Sequence, residues 1–437
     1  MQRNRARILI HVKIDTETCR SRVRAEAKFG GTWRRQAMTI TIHPVPVDQG
    51  TGYTRRRASH DGRLTEVGRG TPMGELLRRY WHPVGLATHA TETPREVRVL
   101  GEDLVLFRDP AGRPGLLHAR CCHRGTTLYY GKVEAGGIRC CYHGWLFDTQ
   151  GHCLEQPCEP NAGAAHRDKI RQPWYPVQER YGLIFAYMGP PEKKPLLPRF
   201  DALEELAPDE FIDVDDTSIG SGGGAIAPCN WLQHYENVVD PYHVPILHGN
   251  FSGTQFTPAM NLMPQVQFEL TDRGVKSFSI RQLDGGRVMR RTTEVVLPTL
   301  RVVPNPYVGQ YGKVETIGWT LPIDDTHYRI YTAGRVTRKG ELLPRAPAAA
   351  ARPDWHQMTP EQRRERPTDW EAQVGQGAIT VHAEEHLASS DRGIVMLRRM
   401  LSRQVEAVEQ GGDPIGVAFD EASAYVRLEA GQYVDEP

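Results

Sequence analysis

Residues Cys121 to Trp145 read CCHRGTTLYYGKVEAGGIRCCYHGW. Cys121 and His123 form a Cys-x-His pair, Cys140 and His143 a Cys-x-x-His pair, with sixteen residues between them. Each short loop therefore offers one thiolate and one imidazole. Two Cys and two His could hold zinc, but a zinc finger groups Cys with Cys and His with His on separate elements. A [2Fe-2S] cluster of the Rieske type carries two Cys on one iron and two His on the other, and two mixed loops supply that set by each reaching across both irons. Gly125 and Gly144, close behind the two His, permit the tight turns that aim backbone N–H groups at cluster sulfur. The donor set points to a Rieske cluster held by Cys121, His123, Cys140 and His143.

The pattern CxHRG followed by CxYHGW resembles the Rieske signature of ring-hydroxylating oxygenase alpha subunits. The sequence departs from it at Cys122 and Cys141, which stand where that family often has Pro or another non-thiol residue. Two readings stay open: a disulfide bracing the loops, or two reduced, small apolar residues.

At 437 residues the chain is long enough for two domains with separate cores. Its 54 Lys and Arg balance 53 Asp and Glu, so no overall field favours nucleic acid or an anionic membrane. No apolar run approaches a membrane span. The eight Cys do not form the even framework of a small secreted domain, and the N-terminus lacks a signal-peptide core. Both features lead to the expectation of a cytoplasmic protein.

Residues 1–63 are Arg-dense and read as a basic, disordered extension or an arm for an acidic partner, with Met38 an alternative translation start. Order is expected from Leu64. Thr71-Pro72 caps a helix that ends before Pro83. Strands follow at Glu96 to Leu100, Leu104 to Arg108, Leu116 to Ala119 and Leu183 to Met188, separated by Gly, Pro and Asp turns. Residues 64–190 are thus an all-β domain with the cluster loops at its turns, and Pro190 to Pro195 a stiff linker. Residues 191–437 form the second part of an α+β chain. Val266 to Leu270, Val275 to Leu283, Arg291 to Leu297, Thr316 to Leu321 and Tyr328 to Val336 suggest one antiparallel sheet. Leu342 to Arg366 reads as a long loop. Gly220 to Gly224 lacks the Lys-Ser/Thr of a phosphate loop and reads as a linker. No dinucleotide fingerprint appears, so electrons from NAD(P)H must arrive through a separate reductase.

Residues 230–248, NWLQHYENVVDPYHVPILH, suggest a second metal. Asn237, Asp240 and His243 are three apart and would share a helix face. His248 would point away on an unbroken helix, but a break at Pro245 would return it to His243. Two His and a carboxylate make the facial triad of ferrous oxygenases. Asp391 is the candidate carboxylate, at the start of a helix with the apolar stripe Ile394, Leu397, Leu401, Val405 and Val408. Equally, it reads as a simple capping acid; Glu384 and Glu385 are rivals.

The Asp240-x-x-His243-x4-His248 segment and Glu385 to Leu401 look like the mononuclear iron motifs of the phthalate-dioxygenase-like branch of Rieske oxygenases. Thr71 to Val84 and Trp319 to Tyr328 are similar too. The resemblance implies His243, His248 and Asp391 as ligands of Fe(II), with O2 as co-substrate. It also implies a helix-grip, START-like catalytic domain, a homotrimer, and an aromatic substrate that is dihydroxylated, monooxygenated or O-demethylated. Electrons would come from an NAD(P)H-dependent reductase, with or without a ferredoxin. It further implies that Asp240 joins His243 to His143 of the partner subunit; otherwise Asp240 touches His243 alone. The competing class is a non-catalytic Rieske electron carrier, which would need only the first domain. Arg281, Arg287, Arg290, Arg291 and Arg301 could serve an anionic substrate, but strand arginines are expected to face solvent.

Overall fold

The architecture comes from a computed structural model. It describes the backbone of three strands within residues 8–38, then residues 58–217, 225–251, 255–305, 312–339 and 355–437, with single residues 52, 253 and 342. The Gly220 to Gly224 run lies outside the described residues. The chain divides into two compact units, Met1–Arg57 and Ala58–Pro437.

The first unit holds three strands within the segment read as an extension. Ile8–Ile14, Ser21–Phe29 and Thr32–Met38 pair as an antiparallel meander, with Ile8 opposite Ala27 and Val23 opposite Met38. Arg density had obscured period-2 alternation in Ile8, Ile10, Val12, Ile14 and again in Val23, Ala25, Ala27, Phe29.

In the second unit, Thr71 caps the helix Pro72–Leu77 by accepting from Gly74 N. Pro83, expected only to stop that helix, lies inside the strand Trp81–Leu86. Small antiparallel sheets follow. Arg95–Val99, Glu102–Arg108 and Pro114–His118 form one, and Lys132–Glu134, Gly137–Arg139, Leu146–Phe147 and Cys153–Glu155 another. The first cluster loop lies between Pro114–His118 of one sheet and Lys132–Glu134 of the other, and the second joins Gly137–Arg139 to Leu146–Phe147.

The predicted strands of the second half do form one antiparallel sheet. Its order runs Phe211–Asp215, His327–Val336, Thr316–Asp324, Leu300–Val302, Val288–Val296, Gly274–Gln282, Gln265–Leu270, and Gly431–Asp435 also pairs with Val288–Val296. Against one face pack the helices Trp231–Val239 and Arg392–Glu409. The long helix buries Leu397, Leu401 and Val405, three residues of its predicted stripe. Gly393 admits it to the sheet: a Cβ there would lie 2.5 Å from a Phe268 ring carbon.

The two halves do not have separate cores. One apolar cluster runs from Leu64 through Leu183 to Met188 and on through the large sheet to Ala430, while a smaller one surrounds the cluster loops. Phe185 meets Trp319 edge-on with centroids 5.6 Å apart, welding the base of the first half onto the second.

Candidate functional site: two metal centres

The two cluster loops are built alike. Cys121 N donates to Thr126 O and Gly125 N to Cys121 O; Cys140 N donates to Trp145 O and Gly144 N to Cys140 O, all at 2.8–3.0 Å. Each loop turns at a glycine of positive φ, Gly125 at 77° and Gly144 at 72°, where a side chain would be strained. Cys121 and Cys140 are buried and close enough to share a proton. That contact pushes the Cys121 thiol up and draws Cys140 down to about 6. The rings of His123 and His143 lie 4.5 Å apart toward the surface, and His123 stacks on Trp145 at 4.3 Å. Thiols inside and imidazoles outside are the polarity a Rieske cluster requires, so the residues fit the group. Cys122 and Cys141 are exposed free thiols, which leaves the reduced reading. Gln172, fully buried, braces the first loop: it accepts from Cys122 N at 2.7 Å and donates to His118 O and Arg120 O at 2.8 Å.

The second centre forms where a helix is interrupted. Asn230 caps Trp231–Val239, and the helix ends with Asp240 in an extended conformation. The break therefore falls at Asp240-Pro241 rather than at Pro245, because a residue before proline is driven out of the helical region. A wide π-type turn, Val244–Phe251, follows. The turn brings the His243 and His248 rings to 5.4 Å between centroids.

The carboxylate beside them is Asp369, not Asp391. Asp369 Oδ1 is 3.1 Å from His248 Nε2 and 3.4 Å from His243 Nε2, and it accepts from Asn237 Nδ2 at 3.2 Å. These three side chains form a cluster of metal-ligand geometry. Burial works against the Asp369 charge, but His248 and His243 more than offset it and hold the carboxyl well below the usual range. Burial likewise opposes the His243 charge, and Asp240 and Asp369 outweigh it, raising the imidazole to about 10. A proton held between two imidazoles and a carboxylate is what a divalent cation would displace. His248 Nδ1 contacts Gln255 Oε1 at 2.6 Å, fixing its ring.

Asp391 instead reaches back to accept from Ala388 N at 2.6 Å, the capping role that was its rival reading. The sequence signal for Asp369 was the pair of capping boxes in the stretch read as a loop and just beyond it. Thr359 with Gln362 starts the helix Pro360–Glu365, and Thr368 with Glu371 starts Asp369–Val374. Asp369 is the first residue of that second helix, and buried Trp370 anchors it.

Asp240 lies beside His243, Oδ2 to Nδ1 at 3.5 Å, an ion-pair contact too long for a good hydrogen bond. Its Oδ1 accepts from Tyr242 N. Among the described residues no hydrogen bond or ion pair joins Asp240 to His143 of the same chain. A cavity of about 440 Å³ opens beside Asn237, Asp240 and His243. Glu236, His382 and Glu385, also clustered, do not make a further cation site, since Arg398 already donates to both carboxylates. Glu385 is thereby removed as a rival ligand.

Comparison with known proteins bears on both centres. Residues 80–176 match the Rieske [2Fe-2S] domain. The chain is 50% identical over 401 residues to the phenoxybenzoate dioxygenase subunit alpha of Ectopseudomonas oleovorans, covering 91% of this chain and 97% of that one. It belongs to the Rieske oxygenase alpha subunits. The 5,5'-dehydrodivanillate O-demethylase oxygenase subunit of Sphingobium sp. is 35% identical, with 84% of each chain covered. Among solved structures, dicamba monooxygenase bound to 3,6-dichlorosalicylic acid superposes with a TM-score of 0.55 at 17% identity, over 76% of this chain and 98% of that one. Caffeine-bound NdmA from Pseudomonas putida CBB5 gives 0.55 at 19%, over 78% and 94%. This Rieske oxygenase subunit is thus the terminal oxygenase component of a multicomponent system, an oxidoreductase that uses O2 and depends on a reductase. Among its described residues no helix is long and apolar enough to cross a membrane.

Proposed function

We propose that His243, His248 and Asp369 hold a mononuclear Fe(II) at which an aromatic substrate is oxygenated. The observation that carries this reading is the convergence of the two Nε2 atoms on one Asp369 oxygen, at 3.4 and 3.1 Å. Three protein ligands on one side of a metal leave positions free for O2 and substrate. When bound, the cluster supplies electrons singly and the ferrous ion supplies the site where oxygen reacts. The chain's own residues orient and exchange protons. Gln255 fixes the His248 ring, and Asn237 holds Asp369 in place through its amide N–H. Asp240, beside His243 Nδ1, orients that imidazole, and its side chain is 26% exposed.

That partial exposure supports the Asp240 assignment: its carboxylate would also receive His143 of the partner subunit, whose ring lies at the surface of its own domain. Such a contact calls for a head-to-tail ring, for which the family resemblance implies a homotrimer. The 50% identical relative is named for phenoxybenzoate, and the substrate proposed here is accordingly an aromatic acid or aryl ether. Dioxygenation and monooxygenation would use the same ligands. The reductase takes electrons from NAD(P)H, with or without a ferredoxin, in the cytoplasm. A non-catalytic electron carrier, the alternative class, would have no use for the convergent triad.

Asp240→Asn tests the coupling. It should retain the cluster spectrum and the iron content but stop oxidation of the reduced cluster when O2 and substrate are added in a single turnover. Oxidation at the wild-type rate would overturn the Asp240 role.

A further inference from the structure

Asp369 opens a helix of only six residues, Asp369–Val374, and a ligand on so short an element is placed only as well as that element is held. Its start is held by the Thr368 and Glu371 capping box. Its end is held at Gln373, one turn on and on the same face as Asp369. Gln373 is 1% exposed, and a carboxamide buried so deeply needs partners.

Gln373 Oε1 accepts from Tyr328 Oη at 2.6 Å and lies 3.2 Å from His234 Nδ1. The imidazole is the donor there, since an amide oxygen only accepts. Burial draws His234 down to about 3, so the ring is neutral and carries its one proton on Nδ1. Both donors are themselves fixed. His234 and Tyr328 stack with centroids 5.2 Å apart, and Tyr328 exchanges backbone hydrogen bonds with Ala227 at 2.9 and 3.2 Å. One oxygen therefore joins three elements: the helix of Asp369, the helix Trp231–Val239 and the strand His327–Val336.

Between the two helices this contact is a second rung. The first is Asn237 Nδ2 donating to Asp369 Oδ1 at 3.2 Å. The second lies one turn away on each helix, because His234 precedes Asn237 by three residues and Gln373 follows Asp369 by four. Gln233 adds a backbone tie, donating from Nε2 to Gln373 O at 2.7 Å and to Gly377 O at 3.1 Å. That tie holds the helix in place, whereas the side-chain rung fixes its rotation about its own axis. Rotation is what would swing Asp369 toward or away from His243 and His248. An apolar residue at 373 would fill the space but leave Tyr328 Oη and His234 Nδ1 without their acceptor.

We propose that Gln373 is a positioning residue for the third metal ligand: through Tyr328 and His234 it sets where the Asp369 carboxylate stands relative to the two imidazoles, and so how tightly the triad closes on a divalent cation. This rests on the iron-site reading above and adds a residue that acts on the site through Asp369.

The test is binding of Co(II), a divalent cation stable in air, followed by calorimetry on cluster-loaded protein from which a chelator has removed the mononuclear metal. Wild type should take one Co(II) per chain and Asp369→Ala should lose it; a wild type without that Co(II) would refute the iron-site reading itself, and the proposal with it. With that site present, Gln373→Leu should bind Co(II) about tenfold to a hundredfold more weakly, the range for groups that orient a metal's ligands. Gln373→Glu keeps an acceptor oxygen in place and should stay within about threefold of wild type. Tyr328→Phe deletes only the hydroxyl, should weaken binding by about threefold or more, and stands in should Gln373→Leu not fold. Acid-labile sulfide and the cluster spectrum should be unchanged in all three, which separates a displaced ligand from a damaged fold. Co(II) affinity within about twofold of wild type in Gln373→Leu or in Tyr328→Phe, or Gln373→Glu as weak as Gln373→Leu, would overturn the proposal.

Discussion

Replacing Arg398 by Met removes the cation on the long helix that is shared by Glu236, on the helix Trp231–Val239, and by Glu385. Arg398 Nη2 donates to Glu236 Oε2 at 2.7 Å and to Glu385 Oε1 at 3.0 Å, while Nε and Nη1 reach the other two oxygens. The side chains of Arg398, Glu236 and Glu385 are 13%, 9% and 24% exposed. Burial already raises the Glu236 pKa even with Arg398 present. Breaking a buried pair by removing one partner costs about 3–5 kcal/mol, because the other charge stays buried. Glu385, more exposed, adds under about 1 kcal/mol. The expected loss in Arg398→Met is therefore about 3–6 kcal/mol at pH 7, read from urea denaturation followed by tryptophan fluorescence. The pH dependence has a definite sign. A carboxyl whose folded pKa is raised binds more protons folded than unfolded, so the variant's deficit should shrink as the pH falls from 7 to 5. Arg398→Met combined with Glu236→Leu should recover most of the loss. A deficit below about 1 kcal/mol, or no recovery in the double variant, would show that water screens this network as it does a surface pair.

His82, completely buried with Nε2 on Leu77 O, is depressed by burial to about 4. Its unfolded form takes up a proton below about pH 6.5 and its folded form does not, so stability should fall from pH 6.5 toward 4 by at most about 3 kcal/mol. His82→Asn should flatten that slope in urea titrations at several pH values; an unchanged slope would refute the assignment. Gln172→Leu strands Cys122 N and two carbonyls around the first cluster loop, each worth about 1–3 kcal/mol if buried. Acid-labile sulfide per chain should drop in purified protein, and full retention would refute the bracing role.

The cluster loops were legible because ligand spacing is local chemistry: four donors and two turn glycines fall within 25 residues. The large sheet was legible from β-branched alternation, and the long helix from its stripe. Asp369 was not, because a facial triad closes through space between segments 121 residues apart, and no periodicity marks the third ligand. Asp391 attracted the assignment through its well-formed helix, although its carboxylate is spent on Ala388 N. The capping boxes at Thr359 and Thr368 were local signals that could have placed one helix inside the supposed loop and a second just beyond it. Burial of Arg281 and Arg291, 1% and 7% exposed where solvent-facing side chains were expected, could not be read at all, since alternation tells which residues share a face but not which face a polar row takes. The N-terminal meander was hidden by the same limit, with arginines alternating among small apolar residues.

The most direct measurement is iron and acid-labile sulfide per chain in anaerobically purified protein, for wild type, Asp369→Ala and Asp391→Ala. About three iron to two sulfide is expected in wild type and in Asp391→Ala. Asp369→Ala should fall to about two iron with its Rieske spectrum intact. A wild type that holds only about two iron after ferrous reconstitution, or loss of the third iron in Asp391→Ala but not in Asp369→Ala, would contradict the account.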